Sequence, residues 1–479
     1  MPIRSPTTSF LALAFFALLI GCGGALAEAP SGRPCTLPGY SGVAECFWID
    51  VPRDFSDPGG ARLSLHVARV RAREARGHAA PLTLLAGGPG QAATDLGGWL
   101  DVAFRRVHAR RDVLLVDQRG TGASRPLRCE AAAELGLGAV SSEALRAIGA
   151  RCLAEQTDDP RWFSTEAVVR DLDRVRARLG YDRLALWGAS FGTRTALRYL
   201  ARFPDRVEAM VLDGVAPNTE PLFFRAPAYA QAAFEALLAR CAEADGCDPA
   251  VFEARATRLL ELEARTVQFV DPVVGEPRSV RIDGPTLRGY LRAALYRPAR
   301  AGLLPVALER ASKGDFGVLA ALASETAGRT SDTMDLGATM SILCSEDVDR
   351  ISAEEARGAG AGSLFADEYH RFWSALCTEW PRTRLPEDYA ALVESSIPTL
   401  ALSGGLDPVT PPAAAELGLR GLPNAHHLVA RNAGHNVTPL GCAPRLVAEF
   451  LDDPASAPDG RCLDDIHLPH LVSSRGAVR

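Results

Sequence analysis

The sequence has no excess of positive charge and almost no lysine. Its 479 residues include 52 Lys and Arg against 58 Asp and Glu, which gives a formal net charge of −6. Lys313 is the only lysine. Proteins that bind nucleic acid through its phosphates normally present a basic surface. The composition therefore gives no support to a nucleic-acid partner.

Beyond its N-terminus, the sequence lacks any uninterrupted apolar run of the roughly 20 residues that a membrane-spanning helix needs. Residues 10–20 form a shorter apolar run that follows Arg4 and is typical of a signal peptide, here residues 1–27. The segment LIGC, ending at Cys22, resembles a bacterial lipobox in which Cys22 is lipidated. The segment ALA before Glu28 fits ordinary cleavage instead. Both alternatives predict export to the periplasm, the cell envelope or the medium, with membrane contact only through the lipid anchor.

The sequence also lacks CxxC pairs and HxxxH spacings, which argues against a metal centre, and we expect no metal or organic cofactor. It contains 11 cysteines, and ten remain once Cys22 is set aside. An even number of cysteines in an exported protein predicts disulfides, with buried free thiols as the alternative. Spacing does not fix the connectivity. The favoured pairs are sequence neighbours: Cys35–Cys46, Cys129–Cys152, Cys241–Cys247, Cys344–Cys377 and Cys442–Cys462.

Hydrophobic residues make up 47% and charged residues 23% of the chain, which excludes a mostly disordered or fibrous protein. Short continuous apolar runs predict strands that are buried on both faces. Helical periodicity separates several of them, as in Glu166–Leu179. This alternation predicts a mostly parallel sheet with helices on both faces. The runs are residues 82–85, 113–116, 184–187, 210–212, 399–402 and 427–430.

Residues 217–395 interrupt this alternation. They are rich in Ala, Leu, Arg and Glu at helical spacing, for example in Ala256–Arg265, and the glycines of Gly358–Gly362 predict a flexible loop. Two strand-like segments, residues 47–51 and 63–70, precede the apolar runs. We therefore interpret residues 217–395 as a helical cap inserted between the sixth and seventh strands of the sheet, residues 210–212 and 399–402. The predicted division is residues 28–216 for the first part of the core, 217–395 for the cap, 396–470 for the rest of the core and 471–479 for a tail.

The first motif that carries chemistry is Gly188-Ala189-Ser190-Phe191-Gly192. It follows an apolar strand and opens the predicted helix Thr193–Phe203. A serine on a sharp strand-to-helix turn projects its hydroxyl above the sheet edge, and small flanking residues are needed there. The pattern predicts that Ser190 is a catalytic nucleophile; a structural glycine turn is the alternative.

A serine nucleophile needs a base and a carboxylate that orients the base. In one known arrangement, the three residues occur along the sequence in the order Ser, Asp, His. His435 lies in a Gly-His loop after the apolar run that ends at Ala430. Asp407 follows the run that ends at Leu402, and Pro408 stiffens its loop. We predict His435 as the base and Asp407 as the carboxylate. The alternative for Asp407 is a structural role at the start of a turn.

An oxyanion hole is predicted from two backbone N–H groups. One is that of Phe191, at the start of the helix after the nucleophile, and the other comes from the loop AGGPGQ, which follows the apolar strand at residues 82–85. Gly88 is the favoured donor in that loop, with Gly87 second. Arg119, in the segment DQRGTGAS, is predicted to hold neighbouring loops together.

The motifs GGPG, DQRGTGAS, GASFGT, GLDPVTP and GHN occur in this order. From about residue 40 to 465, the chain resembles the proline iminopeptidase and tripeptidyl-aminopeptidase-like group of α/β-hydrolases, serine peptidase family S33. The resemblance implies the α/β-hydrolase fold. Two positions depart from the group: Ala86 stands where iminopeptidases often have His, and Phe191 replaces the more usual Tyr or Trp.

The resemblance implies an exopeptidase that acts on peptides with a free N-terminus. Such an enzyme needs a negative site for the substrate ammonium, and the segment Cys344-Ser345-Glu346-Asp347 resembles one near the active site of this group. Glu346 is the first candidate and Asp347 the second; a solvated acidic turn is the structural alternative. An ester hydrolase with the same triad and a non-catalytic binding protein are the competing hypotheses.

Overall fold

The structure is a computed structural model, and it describes residues 1, 31–74, 79–135, 139–270, 275–323, 334–473 and 476–478. Apart from Met1, the predicted signal peptide with Cys22 lies outside the described residues. Among the described residues, no helix combines the length and the apolar composition that crossing a bilayer requires.

The described strands form one large sheet and two small hairpins. The large sheet has nine strands, in the order β1-β2-β3-β5-β4-β6-β7-β10-β11. The pairs β1/β2, β2/β3 and β3/β5 are antiparallel, and every later pair is parallel. The strands are β1 (Arg33–Cys35), β2 (Ala44–Pro52), β3 (Arg62–Val70), β4 (Leu82–Leu85), β5 (Val113–Val116), β6 (Leu184–Ala189), β7 (Val207–Asp213), β8 (Arg265–Val270), β9 (Pro277–Ile282), β10 (Thr399–Gly404), β11 (Ala425–Ala430), β12 (Leu471–Ser473) and β13 (Gly476–Val478).

The principal helices cover both faces of the sheet and build the insertion between β7 and β10. They are α1 (Gly97–Val102), α2 (Ser142–Ala154), α3 (Thr165–Arg178), α4 (Phe191–Arg202), α5 (Leu222–Glu243), α6 (Pro249–Leu260), α7 (Gly284–Leu295), α8 (Pro298–Ala301), α9 (Leu304–Ser312), α10 (Leu336–Glu346), α11 (Ala353–Gly360), α12 (Glu368–Leu376), α13 (Pro412–Gly418) and α14 (Ala443–Asp452).

Alternate residues of the central strands point to opposite faces, and both faces are buried. Leu114 and Leu186 pack in one hydrophobic cluster with α3 and α4. Leu115 and Trp187 pack in a second cluster, on the other face, with α1 and α14. Because both sets are apolar, the strands read as continuous hydrophobic runs, and each fully buried leucine stabilises the fold by about 1.5–3 kcal/mol. The mostly parallel sheet with helices on both faces, predicted from these runs, is confirmed.

The insertion between β7 and β10 holds α5–α12 and the β8/β9 hairpin. Buried side chains such as Phe234, Leu259, Leu291 and Leu308 give it a hydrophobic core of its own. It follows the seventh strand of the sheet rather than the sixth, because β1 adds a short edge strand. The division of the chain into core, cap and tail stays a prediction.

Two local expectations within the insertion are wrong. The predicted helix Ala256–Arg265 ends earlier, at Leu260, and Arg265 begins β8. The exposure of Arg265–Val270 alternates along the strand, as its Val and Phe residues require. The glycines expected to form a loop partly belong to α11, which begins with a capping box of Ser352 and Glu355.

The ten described cysteines form five disulfides, and the pairs are those favoured from the sequence. Cys344 of α10 is bonded to Cys377, which directly follows α12. Each cross-link restricts the unfolded chain and thereby stabilises the folded state. Five disulfides are typical of a protein that folds in an oxidising compartment outside the cytoplasm.

Candidate active site

Ser190 lies on the sharp turn between β6 and α4. Its backbone is in the left-handed region, with φ of 53° and ψ of −122°, a strained conformation that functional sites often contain. A Cβ on Gly188 would lie 2.5 Å from Gly192 O, and one on Gly192 would lie 2.0 Å from Leu85 O. The two glycines therefore permit the close packing that raises Ser190 above the sheet edge.

Asp407 and His435 form a hydrogen-bonded pair just beyond β10 and β11. His435 Nδ1 lies 2.8 Å from Asp407 Oδ2. The other oxygen, Asp407 Oδ1, accepts the backbone N–H groups of Val409 at 2.8 Å and Thr410 at 3.0 Å. These bonds fix the carboxylate, which is buried, so that it can orient the imidazole.

The segment Asp213–Gly214, at the end of β7, connects this pair to the nucleophile turn. Ser190 N–H donates to Asp213 O at 2.9 Å. A Cβ on Gly214 would lie 3.6 Å from both Asp407 Oδ2 and His435 Cε1. The Asp213 carboxylate accepts the N–H groups of Val437 and Thr438, in the loop that carries His435. The three predicted triad residues thus gather around one point of the sheet edge.

Electrostatics within the pair favour an ionised Asp407 and a basic His435. Burial alone would raise the pKa of Asp407, but the neighbouring His435 and the N–H groups of Thr410 and Val409 hold it below its usual value. Burial alone would lower the pKa of His435, but the charge and hydrogen bond of Asp407 raise it above 6.5. An imidazole in this environment is suited to take a proton from a hydroxyl.

The raised pKa of His435 predicts the position of the acid limb of the pH profile. A general base works only when it is unprotonated, so activity should fall as the pH drops through the pKa of His435. We expect the acid limb of kcat/KM to have its midpoint above pH 6.5. A full pH profile of kcat/KM checks this, and a midpoint clearly below that pH would contradict the coupling to Asp407.

The predicted oxyanion loop lies against the nucleophile turn. A Cβ on Gly87 would lie 3.0 Å from Ala189 O and 3.7 Å from Ser190 Oγ. Gly88 is exposed, has a positive φ of 107° and precedes a cis peptide bond to Pro89. Phe191 is the first residue of α4, where helix N–H groups have no partner within the helix. The roles of Phe191 and Gly88 as donors stay predictions.

Glu346 and Asp347 are not positioned to bind a substrate ammonium, and this prediction needs correction. Both side chains are fully buried. The carboxylate of Glu346 accepts Thr165 N–H at 2.7 Å, Thr165 Oγ1–H at 2.6 Å and Tyr389 O–H at 2.5 Å. Asp347 forms an ion pair with the buried Arg194 at 2.8 Å. Their partners come from distant parts of the chain, so the motif alone could not reveal that both acids join α10 to the core.

Replacing Glu346 by glutamine should lower stability and leave substrate binding unchanged. Three donors face the carboxylate, and glutamine offers one acceptor oxygen and an extra donor. We expect a loss of about 1–3 kcal/mol in the free energy of unfolding, because buried polar groups lose partners. Urea denaturation measures this loss, and KM for a peptide with a free N-terminus should stay within about twofold, since buried groups that touch no substrate do not set KM. Unchanged stability with a raised KM would restore the ammonium hypothesis.

Sequence reasoning missed two residues at this site. Thr410 Oγ1 lies 2.9 Å from Asp407 Oδ2 and 3.2 Å from His435 Nδ1, so the threonine braces the pair. Its position three residues after an Asp in a turn is a usable signal, because Asp side chains often accept N–H groups two and three residues later. Arg292 of α7 approaches His435 across Tyr296, and no local pattern points to it.

Arg119 is buried and joins several loops. Its Nε and Nη2 donate to Asp171 at 2.6 and 2.8 Å, and its other bonds reach the backbone carbonyls of Pro52, Arg53 and Trp162. This agrees with the bracing role expected from the sequence. Within the described ranges, no group of three or more His, Cys, Asp or Glu side chains could hold a metal ion.

Comparisons with known proteins match two family models to separate parts of the chain. A family model described as alpha/beta hydrolase fold matches residues 80–268, and one described as TAP-like protein matches residues 365–462. Serine protease Hip1 of Mycobacterium tuberculosis is 29% identical over 416 residues, 77% of each chain. Carboxylesterase B of the same organism is 30% identical over 413 residues, 77% of this chain and 76% of that protein. Tripeptidyl aminopeptidase of Streptomyces lividans is 27% identical over 209 residues, 40% of this chain and 39% of that protein.

Proposed function

Because the chain belongs to the α/β-hydrolase family with a TAP-like C-terminal part, the group that includes serine peptidases, we propose that it is an exported serine exopeptidase. In this proposal it releases N-terminal residues or short peptides from substrates with a free N-terminus. The observation that carries its serine-hydrolase chemistry is the 2.8 Å bond between His435 Nδ1 and Asp407 Oδ2 at the sheet edge that presents Ser190.

The proposed reaction uses the protein's own residues throughout. Ser190 Oγ attacks the carbonyl carbon of the scissile bond while His435 takes the hydroxyl proton. The N–H groups of Phe191 and Gly88 bind the oxyanion. His435 then gives the proton to the leaving nitrogen, the C–N bond breaks and an acyl-enzyme remains. Water, activated by His435, attacks the acyl carbon, and the acid product leaves as Ser190 regains its proton.

The substrate ammonium needs an acidic partner other than Glu346, and we assign it to Asp335 together with Asp95. Asp335 N–H donates to Gly90 O at 3.0 Å, so this residue lies against the oxyanion loop. Asp95 follows the same loop and is exposed. Partial desolvation raises the pKa of both carboxyls, and the nearby carboxylate of Asp117 adds to the rise. A cation bound beside them would relieve this repulsion.

The triad geometry does not discriminate between amide and ester substrates. The names of two relatives, a serine protease and a tripeptidyl aminopeptidase, favour peptides. A carboxylesterase relative covers as much of this chain as the serine protease does. Carboxylic-ester hydrolysis is therefore the second candidate.

The deciding experiment compares two fluorogenic peptide arylamides that differ only in an N-terminal acetyl group. We expect cleavage of the free peptide alone, with Ser190→Ala protein as the blank. Asp335→Asn should raise KM for the free peptide. Equal cleavage of both peptides would contradict the exopeptidase proposal. If neither is cleaved, cleavage of a simple aryl ester would support the ester hydrolase, and failure of the ester as well would support the non-catalytic hypothesis.

We also propose that the mature chain begins at Cys22 and carries a lipid there. The five disulfides support export. The intact mass of the N-terminal peptide from the native host distinguishes a lipidated Cys22 from a chain that starts at Glu28.

A further inference from the structure

A cavity of about 470 Å³ lies between the insertion and the segment that contains α2, and its lining does not include the predicted triad. Residues of α2, α7 and α12 contribute to its wall, among them Leu145, Tyr290 and Tyr369. This volume is in the range of small-molecule pockets. We call it the cap cavity. Its wall contains three arginines, Arg288, Arg292 and Arg371. Two of them pair with a carboxylate of the protein and one does not, and this difference indicates a ligand.

Two of these arginines have an internal counter-charge. Arg288 and Arg371 both pair with Glu368, at 3.8 and 3.3 Å. The other carboxylate of the wall, Asp283, accepts the N–H and hydroxyl groups of Thr286 at the start of α7. The acidic groups of the cavity are thus already engaged.

Arg292 has no such partner. Its Nε and Nη2 atoms are buried and find no hydrogen-bond acceptor among the described residues. Its guanidinium lies 4.0 Å from the ring centroid of Tyr369 and 5.6 Å from that of Tyr296. The aromatic faces and the hydroxyl oxygens of these tyrosines stabilise the cation, but neither residue supplies a counter-charge. A buried, unpaired guanidinium is costly unless an anion completes its environment.

Arg292 also lies close to the predicted general base. The rings of Tyr296 and His435 are 5.3 Å apart in an edge-to-face arrangement, and Tyr296 O accepts His435 N–H at 3.0 Å. Burial and the positive charge of Arg292 both oppose protonation of His435. In an acyl transfer, this histidine gives its proton to the leaving group. The positive charge of Arg292 therefore acts on the residue that transfers a proton to the leaving group.

We propose that Arg292 binds a carboxylate on the leaving fragment of the substrate, which enters the cap cavity. A guanidinium can donate two N–H groups to the two oxygens of a carboxylate, a geometry that lysine cannot reproduce. This inference rests on the proposed serine-hydrolase function and adds the substrate class: short substrates whose leaving fragment is anionic. The carboxylate comes either from the C-terminus of a single leaving residue or from an acidic side chain of that residue.

The test uses three peptides with the same acyl part. In the first the leaving residue is alanine with a free carboxylate, in the second it is alanine amide, and in the third it is aspartic acid amide. We expect kcat/KM for the acid to exceed that for the alanine amide by about tenfold or more, the effect of a charge-assisted hydrogen bond. The third peptide shows where the carboxylate must be. If its kcat/KM is similar to that of the first peptide, a side-chain carboxylate is sufficient; if it is similar to that of the alanine amide, the carboxylate must be the C-terminal one.

The Arg292→Gln variant should bring the acid-to-amide ratio to about one, because a neutral amide cannot attract a carboxylate. Arg292→Lys should restore only part of the ratio. The matched control is Arg310→Gln, which alters an arginine of the insertion that pairs with Asp315 at 2.7 Å and lies outside the cavity wall, and it should keep the wild-type ratio. A general loss of structure would slow both peptides together and leave the ratio unchanged. A wild-type ratio near one, or a ratio that survives Arg292→Gln, would overturn the inference.

A binding measurement separates this inference from the proposed function. Ser190→Ala protein is titrated with the acid and the alanine amide, so the result does not depend on turnover. Tighter binding of the acid that disappears in Ser190→Ala/Arg292→Gln supports the carboxylate site even if no peptide is cleaved. Equal binding of the two, or no binding of either, contradicts it even if peptides are cleaved.

Discussion

The Ser190→Ala protein is expected to fold normally and to lose about 10⁶-fold in kcat, the loss seen when a serine hydrolase lacks its nucleophile. Alanine has no atom that can form the acyl-enzyme. Residual hydrolysis of about 10³–10⁴ over water should remain, since the oxyanion hole and substrate binding are intact. Steady-state kinetics on the free-N-terminus arylamide, together with the loss of labelling by a serine-directed fluorophosphonate, measures the effect.

A second serine–histidine pair supplies the matched control. Ser403 Oγ lies 2.9 Å from His427 Nε2 on the neighbouring strands β10 and β11. Ser403 is fully buried, and its histidine has no aspartate hydrogen-bonded to it among the described residues. Ser403→Ala should therefore keep its activity within a few-fold of wild type, because that hydroxyl faces the protein interior. Retained activity in Ser190→Ala, or an equal loss in both variants, would contradict Ser190 as the nucleophile.

Asp407→Asn should lower kcat by about 10⁴-fold, as expected when the orienting carboxylate of a triad becomes an amide. The hydrogen bonds at the site give the reason. Asp407 Oδ1 accepts two backbone N–H groups, so the amide oxygen of asparagine is held there. Its NH₂ group then faces His435 Nδ1 and donates to it. The proton of the neutral imidazole is forced onto Nε2, the atom that must accept the Ser190 proton.

The pH profile distinguishes this mechanism from simple damage. Without the charge of Asp407, the main contribution that raises the pKa of His435 is gone. The acid limb of kcat/KM should therefore move to lower pH in Asp407→Asn, while a merely misfolded fraction would lower the whole curve without moving it. A triad carboxylate normally contributes far more than about tenfold to kcat. If Asp407→Asn lowered kcat by less than about tenfold, another carboxylate would have to orient His435, and Asp213 would be the first to test.

The parts of this protein that sequence could predict are those decided locally. The runs that end near Leu85, Val116 and Leu402 are apolar on both faces, so they identify central strands without knowledge of their neighbours. The glycines on either side of Ser190 are required by the close backbone packing of the turn, and this requirement can be recognised from the five-residue motif alone. The strand-to-loop positions of Asp407 and His435 follow from the same logic, because parallel strands gather their carboxyl ends at one edge.

The parts that sequence could not predict depend on long-range pairing. Glu346 looks like an available acid in its motif, and only its contact with Thr165 shows that it is not. Arg292 lies on a helix of the insertion, and its approach to His435 is set by how that helix packs. The edge strand β1 has three residues and little hydrophobic content, so it carries no periodic signal.

Helix α10 links the core and the insertion at both of its ends. Near its start, Thr339 Oγ1 donates to Pro89 O at 2.7 Å. At its end, Glu346 bonds to α3 and Asp347 pairs with Arg194 of α4. Asp347 and Arg194 form a fully buried pair, and a motion that left either charge buried without its partner would cost about 3–5 kcal/mol. Opening motions that release product would consequently leave α10 in place and move the rest of the insertion relative to it. The turnover number would then respond to cross-links between α7 and the core, and would be insensitive to cross-links that tie α10 to α4.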